Sequence, residues 1–204
     1  SHQAALRNCD DLTHEFFSRI SPLAGRIGQY WLQLPATFGP RDLPALWAFL
    51  DALPAGFTYG VEVRHPAFFE KGEEEKALNQ GLHARKVNRV MLDSRPVHSA
   101  KPHSEAVREA QRKKPKVPVH ALVTAAHPMV RFIGSDDMAQ NRELFAVWLN
   151  KLPIWEQTTT PYLFLHTPDI AHAPELVETL WQDLRTAMPI VGEAPSLPLQ
   201  SSLF

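Results

Sequence analysis

Apolar positions along the chain fall into two alternating periodicities. Leu6, Cys9, Leu12, Phe16, Phe17 and Ile20 recur at near-helical spacing and predict a helix over Ala4–Ile20, closed by Ser21-Pro22. Ile27–Leu34 is strand-like and stops at Pro35, and Arg41–Leu53 then places Leu43, Leu46, Trp47 and Leu50 on one helical face. The alternation continues with strands at Thr58–Arg64, Asn88–Asp93, Met129–Gly134 and Tyr162–His166. Helices at Glu70–Arg85, Ser104–Lys113, Met138–Leu152 and Ala173–Ala187 separate and follow them. Five strands alternating with helices predict right-handed parallel βαβ units covered by helices on the outer side.

Side-chain phase refines this. Tyr59, Val61 and Val63 share one face of their strand, and Gly60, Glu62 and Arg64 share the other. The same reading places Gln29, Trp31 and Gln33 on one face. Arg89, Met91, Asp93 and Arg95 stand opposite Val90 and Leu92, Arg131 opposite Val130 and Phe132, and Tyr162, Phe164 and His166 opposite Leu163 and Leu165. Polar groups gathered near the carboxyl ends of parallel strands are the arrangement of a (β/α)8 barrel, whose site is built there. No G-x-G-x-x-G or G-x-x-x-x-G-K-[ST] turn follows a strand, so a dinucleotide fingerprint or P-loop has no support. Five strands do not close an eight-stranded barrel, and 204 residues fall short of the roughly 250 such a barrel uses, which leaves either a smaller open α/β sheet or a chain that begins after the first units.

Composition narrows the function classes. The chain carries 21 Lys+Arg against 22 Asp+Glu, a formal charge of −1, which argues against a generally basic nucleic-acid binder. One cysteine, Cys9, excludes an intramolecular disulfide framework and a multi-cysteine metal site, and its place on the apolar stripe reads as core. No run approaches the roughly 18 apolar residues of a membrane helix, and the first ten residues lack a signal-peptide pattern, so a cytoplasmic location is expected. Eighteen prolines against nine glycines mark the strand ends.

Five strand-end segments carry a resemblance. They are Ile27-Gly28-Gln29-Tyr30-Trp31-Leu32-Gln33-Leu34-Pro35, Tyr59-Gly60-Val61-Glu62-Val63-Arg64-His65-Pro66, Leu92-Asp93-Ser94-Arg95-Pro96, Arg131-Phe132-Ile133-Gly134 and Phe164-Leu165-His166-Thr167-Pro168. In order and over essentially the whole chain, they resemble the strand-end motifs of the YecE-like family, domain of unknown function 72. The resemblance implies a TIM-type barrel. It also implies that Ser1-His2-Gln3 matches a point just after the family's third strand, so residues 1–188 are expected to be the C-terminal two-thirds of one barrel lacking its first three strands. The family supplies no established activity, and function rests on the residues.

The expected inward set is Gln33, Glu62, Arg64, Asp93, Arg95, Arg131 and His166. Three arginines against two carboxylates suit a small anionic or phosphorylated ligand, with Gln33, Arg64, Arg95 and Arg131 binding it. Glu62, Asp93 and His166 are the candidates for acid/base catalysis, His166 because an imidazole titrates near neutral pH. The alternative is an ion-pair network that fills the barrel and does no chemistry. Glu62, Asp93 and His166 could instead hold a divalent metal, although no compact metal motif is present and the arginines would oppose the cation. No other cofactor is implied. Trp31, facing inward, could stack on a planar or sugar ligand.

Two further segments stand out. The basic run Arg108, Arg112, Lys113, Lys114 and Lys116 ends a helix and reads as a solvated terminus, or as a feature overhanging the barrel mouth that attracts phosphates or an anionic polymer. Residues 189–204 form an expected extended, proline-containing tail ending Gln200-Ser201-Ser202-Leu203-Phe204. That peptide resembles the Gln-x-x-Leu-Phe segment by which bacterial replication and repair proteins dock on the sliding clamp. Gln200, Leu203 and Phe204 are the corresponding partner-binding candidates, for a noncatalytic DNA-maintenance accessory or a clamp-recruited enzyme. The same tail could pack on its own barrel.

Overall fold

The computed structural model describes residues 6–194. Five strands, β1 (Tyr30–Gln33), β2 (Tyr59–Glu62), β3 (Asn88–Asp93), β4 (Met129–Ile133) and β5 (Tyr162–His166), form one parallel sheet in sequence order. Helices alternate with them: α1 (Asp10–Ile20), α2 (Leu43–Asp51), α3 (Glu73–Ala84), α4 (Arg95–Ser99), α5 (Glu105–Lys113), α6 (Met138–Glu156) and α7 (Ala173–Ala187).

Local chemistry sets most boundaries. Ser104 and Asp137 accept hydrogen bonds from Val107 N and Gln140 N, capping α5 and α6. Leu6 and Asn8 take positive φ of 64° and 49°, so the first helix starts at Asp10, later than its apolar spacing predicts. After α3, Lys86 sits at φ 55° while its N–H bonds His83 O and the N–H of Val87 bonds Leu82 O. Those two bonds are a Schellman stop, with lysine at the position glycine prefers. Arg95–Ser99 forms a helical turn started by Pro96, and α6 runs through Pro153 to Glu156. Past α7, Pro189–Val191 is a short 3-10 turn where an extended tail was expected.

The apolar sheet face and the helices enclose two core clusters. Val61, Val63 and Leu34 pack with Leu46, Leu50, Leu78 and Leu82 of α2 and α3, and Val130 and Phe132 pack with Phe145, Trp148, Leu176 and Leu180 of α6 and α7. On the other face the sheet curls inward. Four strand spacings in a flat sheet would hold β1 and β5 about 19 Å apart. Instead, the rings of Trp31 on β1 and Phe164 on β5 lie 6.2 Å apart, so the five strands curl into a half-barrel.

Candidate functional site

Pairing register decides which side chains meet inside the curl. Gln33 pairs Glu62 between β1 and β2, Gly60 pairs Asn88 between β2 and β3, Leu92 pairs Arg131 between β3 and β4, and Ile133 pairs His166 between β4 and β5. Paired residues of a parallel sheet share a face. The inner face therefore carries Trp31, Gln33, Glu62, Val90, Leu92, Arg131, Phe164 and His166. Val90 approaches this side of Gly60, where a Cβ would come within 3.2 Å of it.

This register overturns the expected phase of β3. Arg89, Met91 and Asp93 belong to the outer face and Val90 and Leu92 to the inner one. Asp93 is fully buried against the helices, accepting from Trp148 Nε1 at 2.8 Å and from Arg95 Nε and Nη2 at 2.9 and 2.7 Å. Arg95 Nη2 also donates to Leu144 O at 2.9 Å, and its hydrogen bond to Asp93 raises the Arg95 pKa. Asp93 and Arg95 thus fasten β3 to α6, on the far side of the sheet from Glu62. Arg89 is engaged likewise, donating to Glu75 at 2.9 Å, Asn79 at 2.6 Å and Phe68 O at 2.7 Å. Burial alone would raise the Glu75 pKa, but hydrogen bonds from His120 and Lys71 N and the charge of Arg89 hold it below the usual value.

The remaining inner residues converge. The Glu62 carboxylate, wholly buried, accepts from Arg64 Nε at 2.8 Å and Arg131 Nη1 at 2.6 Å. Gln33 Oε1 stands 3.4 Å from the same Arg131 nitrogen, and the Arg131 guanidinium lies 4.2 Å over the Trp31 ring. Burial depresses the pKa of His166 to about 4, helped by the charges of Arg131 and Lys114 and opposed by Glu62. At neutral pH His166 is an uncharged imidazole, so the expected titration near neutrality gives way to a neutral hydrogen-bonding group. Arg131 Nε, Trp31 Nε1 and His166 Nε2 are buried without a hydrogen-bond partner among the described residues.

Lys114 joins this group; the sequence left its basic run open between a solvated helix end and a feature overhanging the mouth, without singling out Lys114. Its pKa is lowered first by burial and then by the charges of Arg131 and Arg64, with Glu62 opposing. α4 and α5 explain how it arrives. Val97 and Ala110 pack on Leu92 and Ile133, so the excursion after β3 folds over the carboxyl ends of the strands. The one signal in the sequence was Pro115, which stops α5 and frees Lys114 from the helix.

Glu62, Asp93 and His166 do not converge as a metal site, and among the described residues no three His, Cys, Asp or Glu side chains could hold a metal ion. An apolar cavity of about 420 Å³ lies between α1, α2 and the edge of β1, lined by Phe16, Phe17, Tyr30 and Leu53. It carries none of the charged groups that surround Glu62. No helix among the described residues is long and apolar enough to cross a membrane. Gln200, Leu203 and Phe204 lie outside the described residues.

The family model described as "Protein of unknown function DUF72" matches residues 1–200. The UPF0759 protein YecE of Escherichia coli K12 is 76% identical over 204 residues, which are all of this chain and 75% of that protein. The YecE protein of E. coli O157:H7 is 75% identical over the same extent. Two crystal structures share the fold at low identity. A DUF72 family protein from Thermotoga maritima superposes with a TM-score of 0.61 at 15% identity, covering 89% of this chain and 70% of its own. A second, from Enterococcus faecalis V583, gives 0.60 at 14% identity, covering 86% of this chain and 66% of its own. By the span of the family match and the identity to both YecE proteins, the chain belongs to the DUF72 family.

Proposed function

We propose that the inner face of the half-barrel binds a small anionic or phosphorylated ligand at the carboxyl ends of its strands. The observation that carries this reading is the charge balance around Glu62. Arg64, Arg131 and Lys114 surround a single carboxylate, and His166 beside them is neutral, which leaves two positive charges unmatched. The unpartnered Arg131 Nε and Trp31 Nε1 add donors in the same group, and His166 Nε2 donates or accepts according to its tautomer. Guanidinium and ammonium groups held in a partly buried, low-dielectric site bind phosphate oxygens by charge-assisted hydrogen bonds.

The geometry favours binding over general acid/base chemistry. Glu62 is occupied by two arginines, and an imidazole with a pKa of about 4 is a weak base at neutral pH. A bound dianion would stabilise the imidazolium and return His166 toward its ordinary range, so any proton transfer would depend on the ligand. The curl of the sheet and the greater length of the relatives also support a TIM-type (β/α)8 barrel as the complete architecture, with this mouth at its catalytic end.

Differential scanning fluorimetry with inorganic phosphate and pyrophosphate tests the binding reading. A ligand at 100 times its Kd stabilises by about 2.7 kcal/mol, and R64A and R131A should each reduce the upward shift in Tm. No shift with either anion, or one that survives both substitutions, refutes it.

A further inference from the structure

The segment Asp93-Ser94-Arg95-Pro96-Val97-His98 lies next to the proposed anion site, yet the side chains of Asp93 and Arg95 turn away from it. Asp93 and Arg95 lock the start of α4 to α6 through Trp148 Nε1 and Leu144 O. The other two polar side chains of the segment reach the chain just beyond α5. Ser94, itself buried, donates from Oγ to Pro115 O at 2.6 Å. His98 Nε2 lies 3.1 Å from Lys114 O, and a carbonyl only accepts, so the imidazole donates through Nε2. Two successive carbonyls, those of Lys114 and Pro115, are therefore held from one element. Gln111 Nε2 completes the join by donating to Val97 O at 2.8 Å and Ala100 O at 3.0 Å.

The held Lys114 and Pro115 carbonyls fix the two peptide planes that follow Lys114, and its own N–H, bonded to Ala110 O, fixes the plane before it, which together set the direction of the Lys114 side chain. That matters at this position. Arg64 and Arg131 reach the site from β2 and β4 or its immediate continuation, whereas Lys114 is the residue at which α5 ends and the chain turns extended, at φ −96° and ψ 133°. Its neighbours Arg112, Lys113 and Lys116 are exposed, as a helix-end basic run ordinarily is. Lys114 alone of these four is half-buried, close enough to Arg64, Arg131 and Glu62 for their charges to act on it and for its own charge to act on His166.

We infer that Ser94 and His98 are positioning residues for anion recognition, which hold the Lys114-Pro115 backbone so that the lysine ammonium joins the two arginines at the barrel mouth. This inference rests on the anion-binding reading. It divides the work of the Asp-Ser-Arg-Pro-Val-His segment, in which the acid and the arginine anchor the turn while the serine and the histidine aim a cation located sixteen or more residues onward.

The test is a double-mutant cycle on the full chain with pyrophosphate as the probe, measured by isothermal titration calorimetry. Loss of a charge-assisted contact weakens binding about tenfold, and K114A should show that loss. S94A/H98A should weaken binding by a similar factor, and adding K114A to that pair should cost little more. H98Q, whose amide nitrogen can replace Nε2 as donor, should recover part of the loss. In S94A/H98A the Lys114 ammonium, followed by NMR of 13C-methylated lysines, should titrate closer to an ordinary lysine. This readout holds even where affinity is too weak to measure. If K114A and R131A weaken binding while S94A/H98A binds as the wild type does, the positioning role is wrong and the anion site stands. Losses that multiply in the triple variant also overturn it. If the wild type does not bind pyrophosphate, or K114A and R131A bind it unchanged, the anion reading itself falls and the inference with it.

Discussion

The Glu62–Arg131 pair gives the sharpest energetic test of the inner face. Replacing Arg131 with methionine removes the 2.6 Å bond to a carboxylate that is 0% exposed, from a guanidinium side chain that is only 6% exposed. Removing one partner of a buried pair costs about 3–5 kcal/mol because a buried charge is left behind. Here Arg64 still holds the other oxygen at 2.8 Å, and its side chain is 15% exposed. That remaining partner moves the expected cost to the low end, about 3 kcal/mol. Loss of the contact over Trp31 adds about 0.5–1 kcal/mol. Urea unfolding should show a total near 3–4 kcal/mol, which at a slope of about 2–3 kcal/mol per molar lowers the midpoint by about 1–2 M. E62Q abolishes the charge but keeps an acceptor for Arg64, so E62Q/R131M should be more stable than the sum of the single effects by about 2 kcal/mol. R131K retains a cation and should fall between. If R131M costs under about 1 kcal/mol, or the cycle couples by less than about 0.5 kcal/mol, Glu62 and Arg131 are not the buried pair described.

NMR titration should place the His166 imidazole at about 4 in the free chain and higher with bound phosphate. The unfolded chain titrates near 6.5, so it takes up the proton first and stability falls as pH drops from about 6.5 to about 4. The undiscounted shift corresponds to about 3 kcal/mol, and solvent screening of the partly exposed ring reduces this to about 1–2 kcal/mol. H166N should flatten that decline, and an unchanged acid limb would exclude His166 as its source. K86G, at the positive-φ stop after α3, should raise stability by about 1 kcal/mol in the same urea assay, and a loss would show that the lysine side chain contributes more than its backbone strain costs. Removing residues 200–204 should abolish binding to a purified bacterial sliding clamp by surface plasmon resonance. Absent binding by the intact chain, or binding that survives the deletion, excludes the Gln-x-x-Leu-Phe docking reading.

Much of the fold was legible because each strand is short, apolar on at least one face and bounded by proline or glycine. All five strands fall within or on the segments their alternation predicts, and Glu62, Arg131 and His166 meet on the inner face as expected. β3 defeated the same reasoning. Arg89, Met91 and Asp93 alternate with Val90 and Leu92 as cleanly as the inward residues of β2 do, but alternation states only that two faces differ. The helices decide which is which, and α3 and α6 supply Glu75, Asn79 and Trp148 as partners for the buried Arg89 and Asp93. Pairing register between strands is a long-range property that a single strand does not encode. Lys114 was not singled out from its basic run for a related reason. A basic run at a helix end is a solvated terminus by default, and only the fold of α4 and α5 over the mouth brings one of its members inside.

The sequential strand order has a further consequence for how the molecule opens. Each strand bonds only to its neighbours in sequence, and among the described residues β1 and β5 do not pair with each other. Such a sheet resembles a linear array, in which an outer unit can detach while the next remains formed. Burial follows the same trend: every residue of β3 and β4 and three of the four in β2 are buried, whereas β1 has none and β5 has none. Amide protons should exchange with deuterium most slowly at β3 and β4 and fastest at β1 and β5. Glu62 and Arg131 stand on β2 and β4, the two strands flanking β3, so their ion pair ties together the most persistent part of the sheet.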